Sequence, residues 1–248
     1  MISYKSKREI ELLKQAGHIV YLTHQFLAPY IKPGIKTMEL EVKAEKFIRD
    51  HGATPSFKGY DGFPYTLCIS VNDEIVHGFP SDRILEEGDI ISIDIGACYK
   101  GYHGDSAWTY PVGKISKENE YLLEHTKKAL YEGIKKAKVG ARIGDISYAI
   151  EQYATKYNLG VVKELVGHGV GTSVHEDPNV PNYGKKGTGP KIKDGMVIAI
   201  EPMLTLGSPE IYILDNDWTV VTEDGSNSAH FEHTIAITNE GVEILTGE

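Results

Sequence analysis

The chain has 248 residues, long enough for one large domain or two small ones, and its 41% hydrophobic content suits a packed core. With 26 Lys and Arg against 35 Asp and Glu, a formal net charge of -9 excludes broad attraction to nucleic acid or to an anionic membrane surface. Two cysteines, Cys68 and Cys98, exclude a disulfide framework and a cysteine metal cluster, and no stretch approaches the roughly 20 apolar residues of a membrane span. The first residues carry no apolar signal core, so a cytoplasmic location is expected.

In chain order, Ser6 and Glu9 make a capping-box pattern, and Ile10, Leu13, Ala16, Val20 and Leu27 recur at helical spacing up to Pro33-Gly34. A second helix is expected from about Thr37 to His51, with Leu40, Ala44, Phe47 and Ile48 inward and Gly52 as its cap. Strand-like segments follow. After Gly113 the order begins again: Ser116-Lys117 opens a helix carrying Leu122, Leu123, Ala129 and Ile134, which stops before Val139-Gly140. Counted from Gly34 and from Gly140, Leu40 matches Ile146, Ala44 matches Ile150 and Phe47 matches Tyr153. Gly88 and Gly195 are each followed at the sixth position by an acid, Asp94 and Glu201, at the end of a strand-like run. Helix, glycine, helix, strand and acid in the same order twice point to a duplication. The expectation is one catalytic domain over 1–248, α+β in class, with pseudo-repeat halves of about 1–113 and 114–248. Antiparallel strands would enclose a site between the halves, with helices outside.

Alternation along Asp89 to Ala97 puts Ile91, Ile93 and Ile95 on one face and Ile90, Ser92 and Asp94 on the other. Tyr99-Lys100-Gly101 reads as a turn, and centring it near residues 99 and 100 sets Asp94 directly opposite Asp105. Two carboxylates that close cannot both ionise unless a cation lies between them. Glu201 alternates with Val197 and Ala199, and Glu232 with Thr234 and Ala236, so the second half offers two more acids of the same kind. Any one of them alone is ordinarily a surface acid on a half-exposed strand. Four in this arrangement are better explained by metal.

Gly167-His168-Gly169-Val170-Gly171-Thr172-Ser173-Val174-His175 is the strongest local signal, with glycines leaving room around the first imidazole. His168 is the ligand candidate. One imidazole with four carboxylates makes an oxygen-rich site suited to manganese or iron, with cobalt or zinc tolerated. The run also contains Gly-x-Gly-x-Gly, but His-Glu-Asp-Pro follows rather than a helix start, which argues against a nucleotide loop. His77, in Val76-His77-Gly78, mirrors His168-Gly169 in the duplicated plan, although a lone histidine is ordinarily structural. There is no Gly-x-Ser-x-Gly elbow and no catalytic signature around either cysteine, which leaves water as the nucleophile.

Taken together, Ile-Asp-Ile at Asp94, His-Gly-Asp at Asp105, Gly-His-Gly at His168, Ile-Glu-Pro at Glu201 and Phe-Glu-His-Thr at Glu232 resemble a type I methionine aminopeptidase over nearly the whole chain. The resemblance implies the pita-bread fold and two divalent metal ions. Asp94 would chelate one, Asp105 and Glu232 would bridge both, and His168 and Glu201 would complete the other. It further implies that His175 contacts the scissile carbonyl, that His77 lies near the scissile amide, and that Glu201 relays a proton. Tyr60, Phe63, Cys68 and Trp218 would line the methionine pocket. The implied reaction removes the initiator methionine from nascent polypeptide N-termini, at the ribosome or away from it, preferring a small second residue. A monomer without membrane or specific nucleic-acid partners is expected. Val174 stands where the family often has an aromatic residue, so the pocket is expected to differ in shape. The 33 residues from His168 to Glu201 leave no room for a type II insertion, and the short N-terminus fits the bacterial-like minimal form. An aminopeptidase P or prolidase relative shares fold and metals but usually carries an extra N-terminal domain. A non-catalytic binding module of this fold typically loses metal ligands.

Overall fold

The computed structural model describes residues 1–247. Helix α1, Lys7–Leu27, starts on the anticipated capping box: the Ser6 hydroxyl accepts from the Glu9 backbone N–H, and the Glu9 carboxylate accepts from the Ser6 N–H. Leu13, Ala16, Val20 and Leu27 are fully buried on one stripe, while Ile10 is only partly covered. Helix α2, Thr37–Asp50, ends where Gly52 takes a left-handed φ of 74°. Phe47 is a correction to the inward set: it is half-buried and stacks on Phe26, with ring centroids 4.5 Å apart. The second helix pair is α3, Lys117–Ile134, and α4, Ile143–Lys156.

Each helix pair covers an antiparallel sheet. In the first, the strand Ile90–Tyr99 runs between Leu67–Val71 and Tyr102–Pro111, and the short strand Thr54–Pro55 also pairs with it. In the second, the order is Gly241–Ile244, His233–Thr238, Met196–Ile200, Gly167–Gly169 and Glu176–Val180. The alternation read from the sequence holds: Ile91, Ile93 and Ile95 join the core beneath α1 and α2, whereas Ile90 joins the core beneath α3 and α4. Asp94 therefore leaves the first core on the side facing the second half.

The hairpin register corrects one expectation. Lys100 (φ 50°) and Gly101 (φ 83°) form the two-residue connection, closed by Tyr99 opposite Tyr102. A turn with positive φ at both central residues suits the twist of the strands and favours glycine at the second position. Asp94 consequently faces Ala107, and Asp105 faces Gly96. The two acids are diagonal neighbours, not direct partners, yet a shift of two residues leaves both on the same face.

The halves are joined by backbone and side-chain hydrogen bonds at a seam between Tyr102–Pro111 and the segment 228–234. The Glu232 N–H donates to Ala107 O at 2.8 Å, Ser106 Oγ to Glu232 O at 2.6 Å, and Thr234 Oγ1 to Asp105 O at 2.7 Å. This stitching sets Asp105 of one half beside Glu232 of the other. Behind it, α1 crosses the first sheet at minimal separation, because Gly17 lies against Gly104. A Cβ on Gly104 would meet Gly17 N at 2.5 Å and Gly17 Cα at 2.6 Å, helix backbone that cannot rotate aside. Gly104→Ala is expected to cost about 3 kcal/mol by overpacking, lowering Tm by roughly 6–12 °C. Thermal unfolding checks this, and an unchanged Tm would contradict the close approach.

Candidate metal centre and pocket

All eleven residues expected to form the site line one cavity of about 270 Å³ between the two sheets. At one end lie the ionisable groups. Asp94 projects from the Ile90–Tyr99 strand and Asp105 from its hairpin partner. Glu201 follows the end of Met196–Ile200 and Glu232 precedes His233–Thr238, and His233 pairs with Ile200, so both glutamates stand at the same end of that ladder. His168 comes from the neighbouring strand Gly167–Gly169.

One ligand atom from each of Asp94, Asp105 and Glu232 lies within 4.8 Å of the others, as does one from each of His168, Glu201 and Glu232. Asp105, His168 and His175 form a third such group, so Asp105, His168 and Glu232 each belong to two of the three, and the two carboxylates among them are placed to be shared between ions. His168 Nδ1 lies 3.0 Å from Gly169 O and so carries the proton, which turns the Nε2 lone pair toward Glu201 Oε1 at 3.4 Å and Asp105 Oδ2 at 3.7 Å. Among the described residues, one buried oxygen each of Asp94, Asp105 and Glu232 has no hydrogen-bond partner. Buried polar atoms are ordinarily satisfied, and a cation would satisfy these three together. The donor set therefore fits divalent metal.

The electrostatics agree. Burial pushes the Asp94 carboxyl up to about 7 and the Glu201 carboxyl up to about 8. Burial first, and the neighbouring carboxylates second, hold Asp105 and Glu232 well above the usual range. Without a cation this cluster retains protons at neutral pH. Burial, then the nearby His175, lowers His168 to about 3, so its ring is neutral and free to ligate. Burial also pushes the Cys68 thiol well up, so no thiolate nucleophile forms there.

The glycines flanking His168 have a different reason from the one expected. A Cβ at Gly167 or Gly169 would collide with the carbonyl of Ala199 or of Asp177 on the adjoining strands. They let backbones close around the ligand strand; they do not make space for the imidazole.

At the other end of the cavity the walls are aromatic. Phe63 and Trp218 meet edge to face with centroids 5.1 Å apart, and Tyr60 lies 5.1 Å from His175. Cys68 sits opposite Asp94 in the ladder, at the junction of the apolar and acidic ends. Val174 is buried among Phe57, Phe63 and Cys68, backing the pocket rather than lining it. His77 adopts a left-handed φ of 58°, uncommon for a non-glycine residue and frequent at functional sites, and faces Trp218 at 6.3 Å. His175 packs edge-on against His168, centroids 4.2 Å apart.

Sequence reasoning missed several lining residues. Phe57, Asp61, Val76, Leu165, Val166 and Met203 come from separate segments and carry no local signal. His230 is different. It is 2% exposed, reaches the cavity beside Glu201 and Glu232, and burial lowers it to about 4. Its position two before Glu232, on the same alternation, could have revealed it.

Known proteins share this fold. The sequence profile of metallopeptidase family M24 matches residues 11–239. Methionine aminopeptidase 1 of Bacillus subtilis (strain 168) is 56% identical over 246 residues, covering 99% of each chain. The crystal structure of methionine aminopeptidase from Thermotoga maritima superposes with a TM-score of 0.98 at 43% identity, covering 100% of both chains. Prolidase from Pyrococcus furiosus is more distant, with a TM-score of 0.79 at 26% identity, and only 65% of its chain is covered. Full-length agreement with the former and partial agreement with the latter bear out the pita-bread fold: the chain belongs to metallopeptidase family M24 and, within it, to the methionine aminopeptidases.

Proposed function

We propose that this chain removes the N-terminal methionine from nascent proteins and peptides in the cytoplasm, preferring a small second residue and using two divalent metal ions. The observation that carries the reading is one cavity with orphaned carboxylate oxygens at one end and an aromatic pocket at the other. Asp94, Asp105, His168, Glu201 and Glu232 would hold the ions: Asp94 would serve one, Asp105 and Glu232 would be shared, and His168 with Glu201 would serve the other. Four carboxylates and a single imidazole favour manganese, iron or cobalt, with zinc tolerated. Residues 1–248 act as one catalytic unit built from two related halves.

When bound, the ions supply Lewis acidity and a nucleophilic water near neutral pH. Glu201 accepts a proton and passes it to the leaving amine nitrogen. His175 donates from its ring to the oxygen that gains charge as the carbonyl becomes tetrahedral, and His77 holds the scissile amide. Tyr60, Phe63, Cys68 and Trp218 grip the thioether by dispersion and sulfur–aromatic contact. The cavity, about 270 Å³, falls just below the roughly 300–1,000 Å³ of ordinary ligand pockets. That size suits one side chain and its peptide unit, and supports selection against a bulky second residue.

A peptide panel tests both substrate claims. Met-Gly and Met-Ala peptides should release methionine, with Met-Lys slower by on the order of 10²-fold in kcat/KM. Faster cleavage of Ala-Pro than of Met-Gly would replace this reading with the Xaa-Pro one.

A further inference from the structure

His230 is the one histidine of this cavity that the mechanism above leaves without a task. Its Nε2 is buried with no hydrogen-bond partner, and carboxylate oxygens face it: Glu201 Oε2 at 3.4 Å and Glu232 Oε2 at 3.9 Å. Glu201 is thereby flanked on both sides, by His168 Nε2 on Oε1 and by His230 Nε2 on Oε2. The two contacts differ in kind. His168 presents a lone pair, since Nδ1 carries its proton, and it falls in a ligand triad; His230 falls in none of the triads that group the other donors.

The backbone of His230 is also unusually well held. Its N–H donates to Thr109 Oγ1 at 2.9 Å, and Thr109 Oγ1 donates to its carbonyl at 2.9 Å. Ser92 Oγ completes the chain, 2.8 Å from the same hydroxyl. On the other side His230 pairs with Met203. A buried ring carried on backbone held at this point has little freedom to leave the carboxylate it faces, which is how groups beyond the ligands raise metal affinity.

We propose that His230 is a positioning residue: its Nε2–H is the donor that fixes the outer oxygen of Glu201, so that the other oxygen is presented to the metal in the geometry required of a ligand and proton relay. The proposal rests on the metal-centre reading above. At 3.4 Å the contact is longer than a formed charge-assisted hydrogen bond, and such contacts tighten when the reacting complex assembles.

The test compares His230→Ala, His230→Gln and Glu201→Gln in the full chain by cobalt(II) titration, by pulsed EPR of the manganese(II)-loaded protein, and by kinetics on a Met-Gly peptide. His230→Ala should weaken cobalt(II) binding about 10–100-fold and lower kcat with little change in KM. His230→Gln, which keeps an N–H donor and most of the volume, should recover much of both losses. EPR should count one coordinated imidazole nitrogen in the wild type and in His230→Ala alike. Wild-type cobalt(II) affinity in His230→Ala, with weakened binding in Glu201→Gln, would overturn the positioning role alone. Wild-type affinity in both would overturn the metal-centre reading beneath it. Two coordinated imidazole nitrogens falling to one in His230→Ala would make His230 a ligand and overturn its role as a donor.

Discussion

Asp105→Asn should abolish nearly all methionine release while leaving the fold intact. Asp105 is 2% exposed, lies in the triad with Asp94 and Glu232, and has an oxygen with no protein partner. Asparagine has the same shape and retains the backbone contacts to Thr234, but it brings a neutral oxygen and an amide where the proposed metal centre calls for a negative charge. Losing one neutral transition-state donor already costs about 10²–10³-fold, so losing a bridging ligand should cost at least about 10³-fold in kcat/KM. The same substitution removes a carboxyl that burial first and its neighbours second disfavour in charged form, so the metal-free variant should melt no lower than the metal-free parent. Glu232→Gln, which alters the other carboxylate proposed to be shared between ions, should behave alike. Peptide hydrolysis and thermal unfolding in chelator measure the two halves of this prediction. Activity within about tenfold of the parent, against the at least 10³-fold loss argued above, would remove Asp105 from the centre.

Metal should stabilise the protein more as pH rises. The sign follows from the raised carboxyl values. In the metal-free fold Asp94 titrates at about 7 and Glu201 at about 8, against ordinary values of 3.8 and 4.5. Across that window the folded chain binds more protons than the unfolded one, so unfolding free energy falls as pH rises from about 4 to about 8. Metal binding requires the same groups as carboxylates and expels their protons, so affinity climbs over the same range. At about 100 times Kd, metal should contribute about 2.7 kcal/mol, equivalent to roughly 5–10 °C in Tm for a chain of this size. The gap in Tm between manganese-loaded and chelated protein, measured near pH 5.5 and near pH 8, should widen at the higher value. An equal gap at both would show that the acids are already ionised without a cation.

Much of this was legible in the chain itself. The capping box at Ser6, the stripe on α1 and the split of Ile90 to Ile95 between two cores follow from local periodicity, which needs no partner to be read. The acids at 94 and 201 were recognisable because each stands six residues after a glycine in a strand-like run, although Asp94 proves to lie within its strand and Glu201 just past the end of its own, and the motifs around all five metal-binding candidates carried the family resemblance. The hairpin register was missed by two residues, since the turn depends on which positions adopt positive φ, and only the backbone reveals that Lys100 and Gly101 do. The glycines around His168 were recognised for the wrong reason, because the carbonyls of Ala199 and Asp177 that exclude a side chain belong to adjoining strands whose pairing is set only in the folded sheet.

Residue pattern alone determined the helices, the faces of the strands, the identity of the metal-binding candidates and the expectation that carboxylates meet; these depend on interactions a few residues long. Tertiary structure alone decided that Asp105 and Glu232 become neighbours, through hydrogen bonds from Ser106 and Thr234 that span more than a hundred residues. It also decided that Phe57, Leu165 and Met203 wall the pocket and that His230 stands against Glu201. The physical reason is that burial creates the site's chemistry. An exposed acid or imidazole in the same sequence would be solvated and ordinary, whereas in the closed seam its charge must be answered by another group.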